Sequence, residues 1–245
     1  MSLLAFRQVS KRFPDGGSEI AVLDRVSFEV EVGETVGLLC SRRGGKTTLL
    51  EIAAGLMAPD EGSVLWDDRE LVEMSDSETA HARRHGGIGL VRGEWRSSRS
   101  TSVLQHISIP LYSGTPNMDE AEDRVLRALE LVGAAHLARR RTSELGLSER
   151  MLIELARAIV HEPRLLLVDE PAVFRKLEDA DAFYALLRSL PTKIGCALLI
   201  ASEEATPLRG CKPMMSLAYG QLSSTTSRRK VIDFPTPSGG AKSAS

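Results

Sequence analysis

The sequence predicts an α/β protein built around a parallel sheet, and three observations predict it. Apolar runs of strand length alternate with stretches of helical periodicity along most of the chain. Two of those runs, "RLLLVDE" and "CALLIAS", are apolar at consecutive positions, as strands covered on both faces must be. A third feeds straight through glycines into a helix, in "LLCSRRGGKTTLLEIAAGL" at residues 38–56.

The elements can be justified in order. "LAFRQVS", "IAVLDRVSFEV" and "ETVGLLC" alternate or cluster β-branched and apolar residues, so they read as strands, with "EVGE" as a turn. Residues 46–57 read as a helix stopped near Pro59, followed by "GSVLWDD" as a strand, a polar helix around 76–84, and "GIGLV" as another strand. At 119–132, "DEAEDRVLRALELV" places apolar residues at helical spacing behind an acidic first turn that suits the helix dipole. A loop at 141–149 leads to helix "ERMLIELARAIV", strand "RLLLVDE", a helix at 178–190, strand "CALLIAS" and a short strand near "MMSLAYG". The last stretch, "PTPSGGAKSAS", has too little apolar surface to pack and reads as a disordered tail. No internal repeat is visible.

Composition narrows the possible functions. With 42% hydrophobic and 26% charged residues in 245, the chain suits one globular domain with a full core. A net charge of −2 and a pI near 6.2 argue against a nucleic-acid partner, which calls for a basic excess. No apolar run reaches the roughly 18 residues of a membrane span, and the N-terminus lacks a signal-peptide core, so a cytoplasmic chain is expected. Cys40, Cys196 and Cys211 are odd in number and widely spaced, which favours reduced thiols over a disulfide framework or a zinc site.

The chemistry lies in two stretches. A strand that passes through a glycine loop into a helix aims backbone N–H groups and the positive dipole end at one spot, which favours a phosphate chain. Gly45, Lys46 and Thr47 fit the pattern Gly-x-x-x-x-Gly-Lys-[Ser/Thr], with Lys46 reaching β- and γ-phosphates and Thr47 a Mg²⁺ ion, while Cys40 stands in place of the first glycine. About 120 residues later, Asp169 and Glu170 close a buried strand, where Asp169 could hold Mg²⁺ through water and Glu170 act as general base. Each stretch by itself also fits a plain structural role, as a helix after two glycines or a solvated strand end. Their order and distance favour the joint reading.

The ordered set "VLDRVSFEVEVGETVGLL", "GGKTTLLEIAAGLMAPDEGSVLWDD", "RRHGGIGLV", "LARAIVHEPRLLLVDEP" and "LAYGQL" resembles the ATP-binding subunits of ABC transporters over residues 3–224. "SDSETAHARRHGGIGLV" and "TSVLQHISIPLY" are similar to the lipoprotein-release, macrolide-export and cell-division branch. The resemblance implies a P-loop NTPase core of ABC ATPase type with an N-terminal antiparallel β-subdomain and a helical subdomain. The ATP-binding domain would span 1–230, with the helical subdomain at about 93–160 and the tail at 231–245. It implies ATP and Mg²⁺ as cofactors, and as partners a membrane permease and a second ATP-binding subunit in a homo- or heterodimer. The chain would then sit on the inner face of the cell membrane through the permease. Phe13 matches the family's adenine-stacking position; Gly44, Gly45, Lys46, Thr47 and Thr48 match the phosphate positions; Thr47 and Asp169 match Mg²⁺ positions, and Glu170 the base.

The departures from that family are as informative. Gly93 stands where the family has a glutamine that senses Mg²⁺ and the attacking water, and Ser202 where it has a histidine on the γ-phosphate. The signature loop reads Leu145-Gly146-Leu147-Ser148-Glu149, so Leu147 replaces a glycine that faces the partner's γ-phosphate. "AVFRKLED" lacks the usual Leu-Asp pair after the base. A left-handed conformation at Cys40 or Arg43 would cost about 1–3 kcal/mol and weaken ATP binding. Losing one preorganised transition-state contact costs about 10²–10³ in rate, so weak or partner-dependent hydrolysis is expected. Two functions follow: an ATP-binding subunit that couples nucleotide to a permease, or a non-hydrolysing pseudo-ATPase scaffold in the same place.

Overall fold

The computed structural model describes residues 2–73, 87–92, 95, 101–112, 117–169 and 177–224. Two long strands come first, β1 (Ser2–Asp15) and β2 (Ser18–Glu31). They extend beyond the apolar runs that announce them because Gly16 and Gly17, with φ of 54° and 97°, turn the chain tightly enough for Asp15 to pair with Ser18. With β4 (Glu61–Trp66) and β5 (Arg69–Glu70) they form an antiparallel sheet in the order β2-β1-β4-β5. Its inner face carries Leu4, Phe6, Val9, Leu23, Val26, Phe28 and Val64, all buried, with the Phe6 and Phe28 rings stacked at 4.7 Å.

The second sheet contains β3 (Thr35–Cys40), β6 (Ile88–Arg92), β7 (Leu165–Asp169), β8 (Ala197–Ser202), β9 (Met214–Ala218) and β10 (Gln221–Ser224). The order is β10-β9-β3-β8-β7-β6, parallel from β9 to β6, with β10 antiparallel at one edge. The consecutive apolar runs behave as a doubly covered sheet requires. Leu165, Leu167, Ala197, Leu199 and Ala201 face the core shared with the antiparallel sheet, while Leu166, Val168, Leu198 and Ile200 face a second core on the other side.

Helices fill both layers. α1 (Lys46–Ala53) belongs to the first core through Leu49, Leu50, Ile52 and Ala53. It stops four residues before the expected end, because Gly55 takes φ 62° and its N–H returns to the Ile52 carbonyl while that of Leu56 returns to Glu51. The second core is closed by α2 (Val103–Ser108), α3 (Met118–Leu131), α4 (Leu147–Ile159) and α5 (Leu177–Ile194). α2 is too short for its periodicity to stand out, yet Ser102 and Gln105 cap it reciprocally, at 3.2 and 3.1 Å. α4 begins two residues earlier than expected because the Glu149 carboxylate accepts the Gly146 N–H at 2.7 Å. α5 runs past residue 190 through Pro191, which forgoes one helical N–H bond, and the Gly195 N–H closes the end of the helix onto the Pro191 carbonyl at 3.0 Å. The polar helix expected around 76–84 and the tail at 231–245 lie outside the described residues.

Two polar contacts join separate elements. His106 on α2 and Glu154 on α4 are both buried, with Nε2 and Oε1 3.0 Å apart, and Trp95 lies 5.0 Å from the His106 ring. Arg164, just before β7, grips Asp67 in the β4–β5 turn bidentately at 2.8 and 3.0 Å, and its guanidinium lies over the Trp66 ring. This grip connects the two sheets. The hydrogen bonds from Arg164 hold the Asp67 carboxyl below the usual carboxylate range. A lowered folded-state value means the contribution is complete above about pH 4, where the unfolded carboxyl ionises, and is lost as pH falls through the lowered value. Both side chains are more than a third exposed, at 46% and 36%, so the grip is worth no more than about 1 kcal/mol. Arg164→Ala is expected to lower stability at pH 7 by that amount. The deficit relative to wild type should shrink as pH falls below about 4 and vanish once the Asp67 carboxyl is protonated in the folded state as well, which urea unfolding across pH would show.

Candidate functional site

The C-terminal ends of β3, β8 and β7 lie side by side: Leu39 pairs with Ser202, and Ala201 with Asp169. In an open parallel sheet this edge is where loops and helix N-termini converge on ligands. The loop that leaves β3 stays close to the sheet, since the Ser41 N–H donates to the Leu217 carbonyl at 3.0 Å and the Gly44 N–H to that of Ser41 at 2.8 Å. α1 then starts at Lys46 behind Gly45, with no side-chain cap and no acidic residue in its first turn. The first-turn N–H groups of a helix have no carbonyl to bond within the helix, so they present donors and a positive dipole end at this spot.

Both glycines are required here. Gly45 has φ 91°, and a Cβ on it would lie 2.7 Å from the Val22 carbonyl oxygen; one on Gly44 would lie 2.6 Å from Ser41 Oγ. Arg43 does adopt the left-handed conformation expected of the loop, at φ 58°. Cys40 does not, and this corrects the expectation of strain at that position. It is the last residue of β3, buried, paired with Leu217, with its Sγ 3.6 Å from the Leu38 carbonyl. The missing first glycine therefore leaves the turn itself to residues 41–45.

The side chains expected to act together come from remote parts of the chain. The Thr47 hydroxyl donates to Asp169 Oδ2 at 2.8 Å, which joins the glycine loop to the end of β7 across 122 residues of sequence. A hydroxyl and a carboxylate in contact are the hard oxygen donors that suit Mg²⁺. Lys46 Nζ lies 3.3 Å from Glu203 Oε1. Thr48 follows in the first turn of α1, half-buried. Phe13 pairs with Ile20 in the β1–β2 hairpin, whose Val22 abuts Gly45, and Lys11 lies 5.8 Å from the Phe13 ring centre. It is half-buried and stands outside both cores. Glu170, Gly93 and residues 172–176 lie outside the described residues.

The signature-like segment forms the N-terminus of α4. Gly146 caps it, Leu147 is 44% exposed in the first turn, Ser148 donates to Asp179, and Glu149 is held by both Arg140 and the Gly146 N–H. Ser202 is fully buried, and its hydroxyl accepts the Glu204 N–H at 3.0 Å. Sequence reasoning passed over Glu203; the one signal for it was a pair of acidic residues directly after a buried strand.

The family profile described as "ABC transporter" matches residues 23–173, more than half of the chain and the whole of the loop-to-Asp169 constellation. The chain belongs to the ABC transporter family. It is similar to the methionine import ATP-binding protein MetN of Myxococcus xanthus, with 34% identity over 222 residues that cover 90% of this chain and 66% of that protein. The chain thus spans just under two thirds of that relative's length. Among solved structures, a dimeric post-hydrolysis state of the ATP-binding cassette MJ0796 bound to ADP and Pi superposes with a TM-score of 0.82 at 22% identity, covering 92% of this chain and all of that one. cbiO1 of Clostridium perfringens, described as part of the transporter complex cbiONQ, gives 0.78 at 24% identity over 91% of this chain and 87% of its own. These likenesses carry the fold: an ABC cassette with its antiparallel sheet, parallel-sheet core and helical elements.

The loop geometry makes a direct test possible. Gly45→Ala would force a Cβ into the left-handed region against the Val22 carbonyl, and a loss of about 2–4 kcal/mol is expected in chemical denaturation. Arg43→Gly, which removes a Cβ from a left-handed position, is expected to be neutral or to stabilise by up to about 1 kcal/mol.

Proposed function

We propose that this chain is the ATP-binding subunit of an ABC transporter complex, coupling nucleotide binding to a membrane permease, with hydrolysis that is weak or dependent on its partner. The Thr47–Asp169 contact carries this reading, because it brings a phosphate-loop hydroxyl onto the carboxylate of a neighbouring strand end, as a Mg-nucleotide site needs. Gly44, Gly45, Lys46, Thr47 and Thr48 would hold the phosphates, Thr47 and Asp169 the Mg²⁺, and Phe13 the adenine. Mg²⁺, when bound, offsets the charge on the β- and γ-phosphates. Glu170, one residue beyond Asp169, would accept the proton of the attacking water. The domain would extend over 1–230, with the helical part at about 93–160.

Two such chains, or this chain and a second ATP-binding subunit, would close head to tail over nucleotide beneath the permease. Among the described residues no helix is long and apolar enough to cross a membrane, so contact with the bilayer would run through that permease. The export-type stretches of the sequence and the import name of the relative point to opposite directions of transport, and coupling of nucleotide to a permease is common to both.

A second reading, a non-hydrolysing scaffold in the same position, is favoured by two observations. Ser202 is buried with its hydroxyl turned to the Glu204 N–H, and Leu147 puts a branched side chain on the first turn of α4. Thermal unfolding with and without millimolar Mg-ATP separates the two. A ligand at a hundred times its dissociation constant stabilises the folded state by about 2.7 kcal/mol, a shift of several degrees. The expected outcome is a shift in the wild type that disappears in Lys46→Ala. No shift in either protein would favour the scaffold.

A further inference from the structure

The loop that leaves β8 brings a carboxylate to the cation of the phosphate loop. Glu203 follows Ser202, the last residue of β8, and β8 is the immediate neighbour of β3. The Glu204 N–H donates to the Ser202 hydroxyl at 3.0 Å, folding the chain back on the strand end, and Glu203 Oε1 reaches Lys46 Nζ at 3.3 Å. The lysine side chain is only 14% exposed, whereas that of Glu203 is 39% exposed. A shielded cation is therefore covered by an anion that has solvent to retreat into.

We propose that Glu203 is an affinity-setting residue of the nucleotide site: its carboxylate occupies the Lys46 ammonium in the nucleotide-free protein and must withdraw before phosphate can take its place. This rests on the reading of residues 44–48 as a phosphate site. The physical basis is mutual exclusion at one shielded ammonium. A triphosphate and a carboxylate are both anions, and placing them together on one cation sets like charge against like charge. Apparent affinity then scales with the fraction of molecules in which the lysine is uncovered. A loop that covers Lys46 nine-tenths of the time raises the apparent Kd roughly tenfold. Binding would also move the β8 exit loop, so occupancy at the phosphate loop is converted into displacement of a neighbouring segment.

The test compares two charge-identical changes on one loop. Glu203→Gln and Glu204→Gln each remove one negative charge, and of the two carboxylates it is Glu203 that pairs with Lys46. Mg-ATP affinity is measured by titration calorimetry for the wild type and both variants. Glu203→Asp serves as a shorter carboxylate that reaches less far, and the unfolding midpoint of each protein serves as the check on folding. Glu203→Gln should tighten Mg-ATP binding about tenfold, Glu203→Asp by an intermediate factor, and Glu204→Gln by less than about twofold. Binding by Glu203→Gln where the wild type shows none also supports the proposal. Equal gains from the two glutamine variants would reduce the effect to general electrostatics and overturn it. So would an unchanged or weakened affinity in Glu203→Gln beside a wild type that binds. Absence of Mg-ATP binding in all four proteins would overturn the nucleotide-site reading itself, and is distinct from those results.

Discussion

The register of three adjacent parallel strands is the constraint from which the site descends. Because Leu39 lies opposite Ser202 and Ala201 opposite Asp169, the chain leaves β3, β8 and β7 at nearly the same height on one edge of the sheet. That common height is what lets Thr47 reach Asp169 and Lys46 reach Glu203. A one-residue slip of β7 would turn every side chain of the strand, Asp169 included, to the opposite face, so the packing that fixes the register also fixes where Asp169 lies.

The preserved and altered parts of the site divide by location. The glycine loop is built from local backbone geometry and two glycines that no side chain could replace. Cys40, the apparent defect in that loop, is absorbed by the strand, and Arg43 takes the left-handed place. The altered positions, Leu147 and Ser202, lie on α4 and at the end of β8, outside the loop itself. Under the proposed function, the residues that would hold nucleotide and those that would act on it are separate, and Leu147 and Ser202 belong with the second set.

The sequence made the core strands plain, because doubly covered strands leave unbroken apolar runs that little else of that length produces. The glycine loop and the carboxylate closing β7 were equally readable, each from a local pattern. What escaped was set by contacts between distant residues or by single-residue geometry. α2 owes its existence to a reciprocal cap and to packing, β5 to two residues of pairing, and the early end of α1 to the conformation of Gly55. The strain assigned to Cys40 was misplaced because the pattern names a position without saying where the strand ends. Glu203 was invisible as a partner of Lys46, since 157 residues separate them and only the sheet order makes them neighbours.

The alternation of the central strands between two cores has a mechanical meaning. Leu166 belongs to one packed layer and Leu167 to the other, as do Leu198 and Leu199, so neither of these central strands is the property of one half of the molecule. Neither layer can loosen without stripping cover from strands that the opposite layer also relies upon. The sheet therefore ties the two layers into one cooperative unit. The edge that carries the glycine loop is anchored on both sides and acts as a fixed ledge against which the surrounding loops can move.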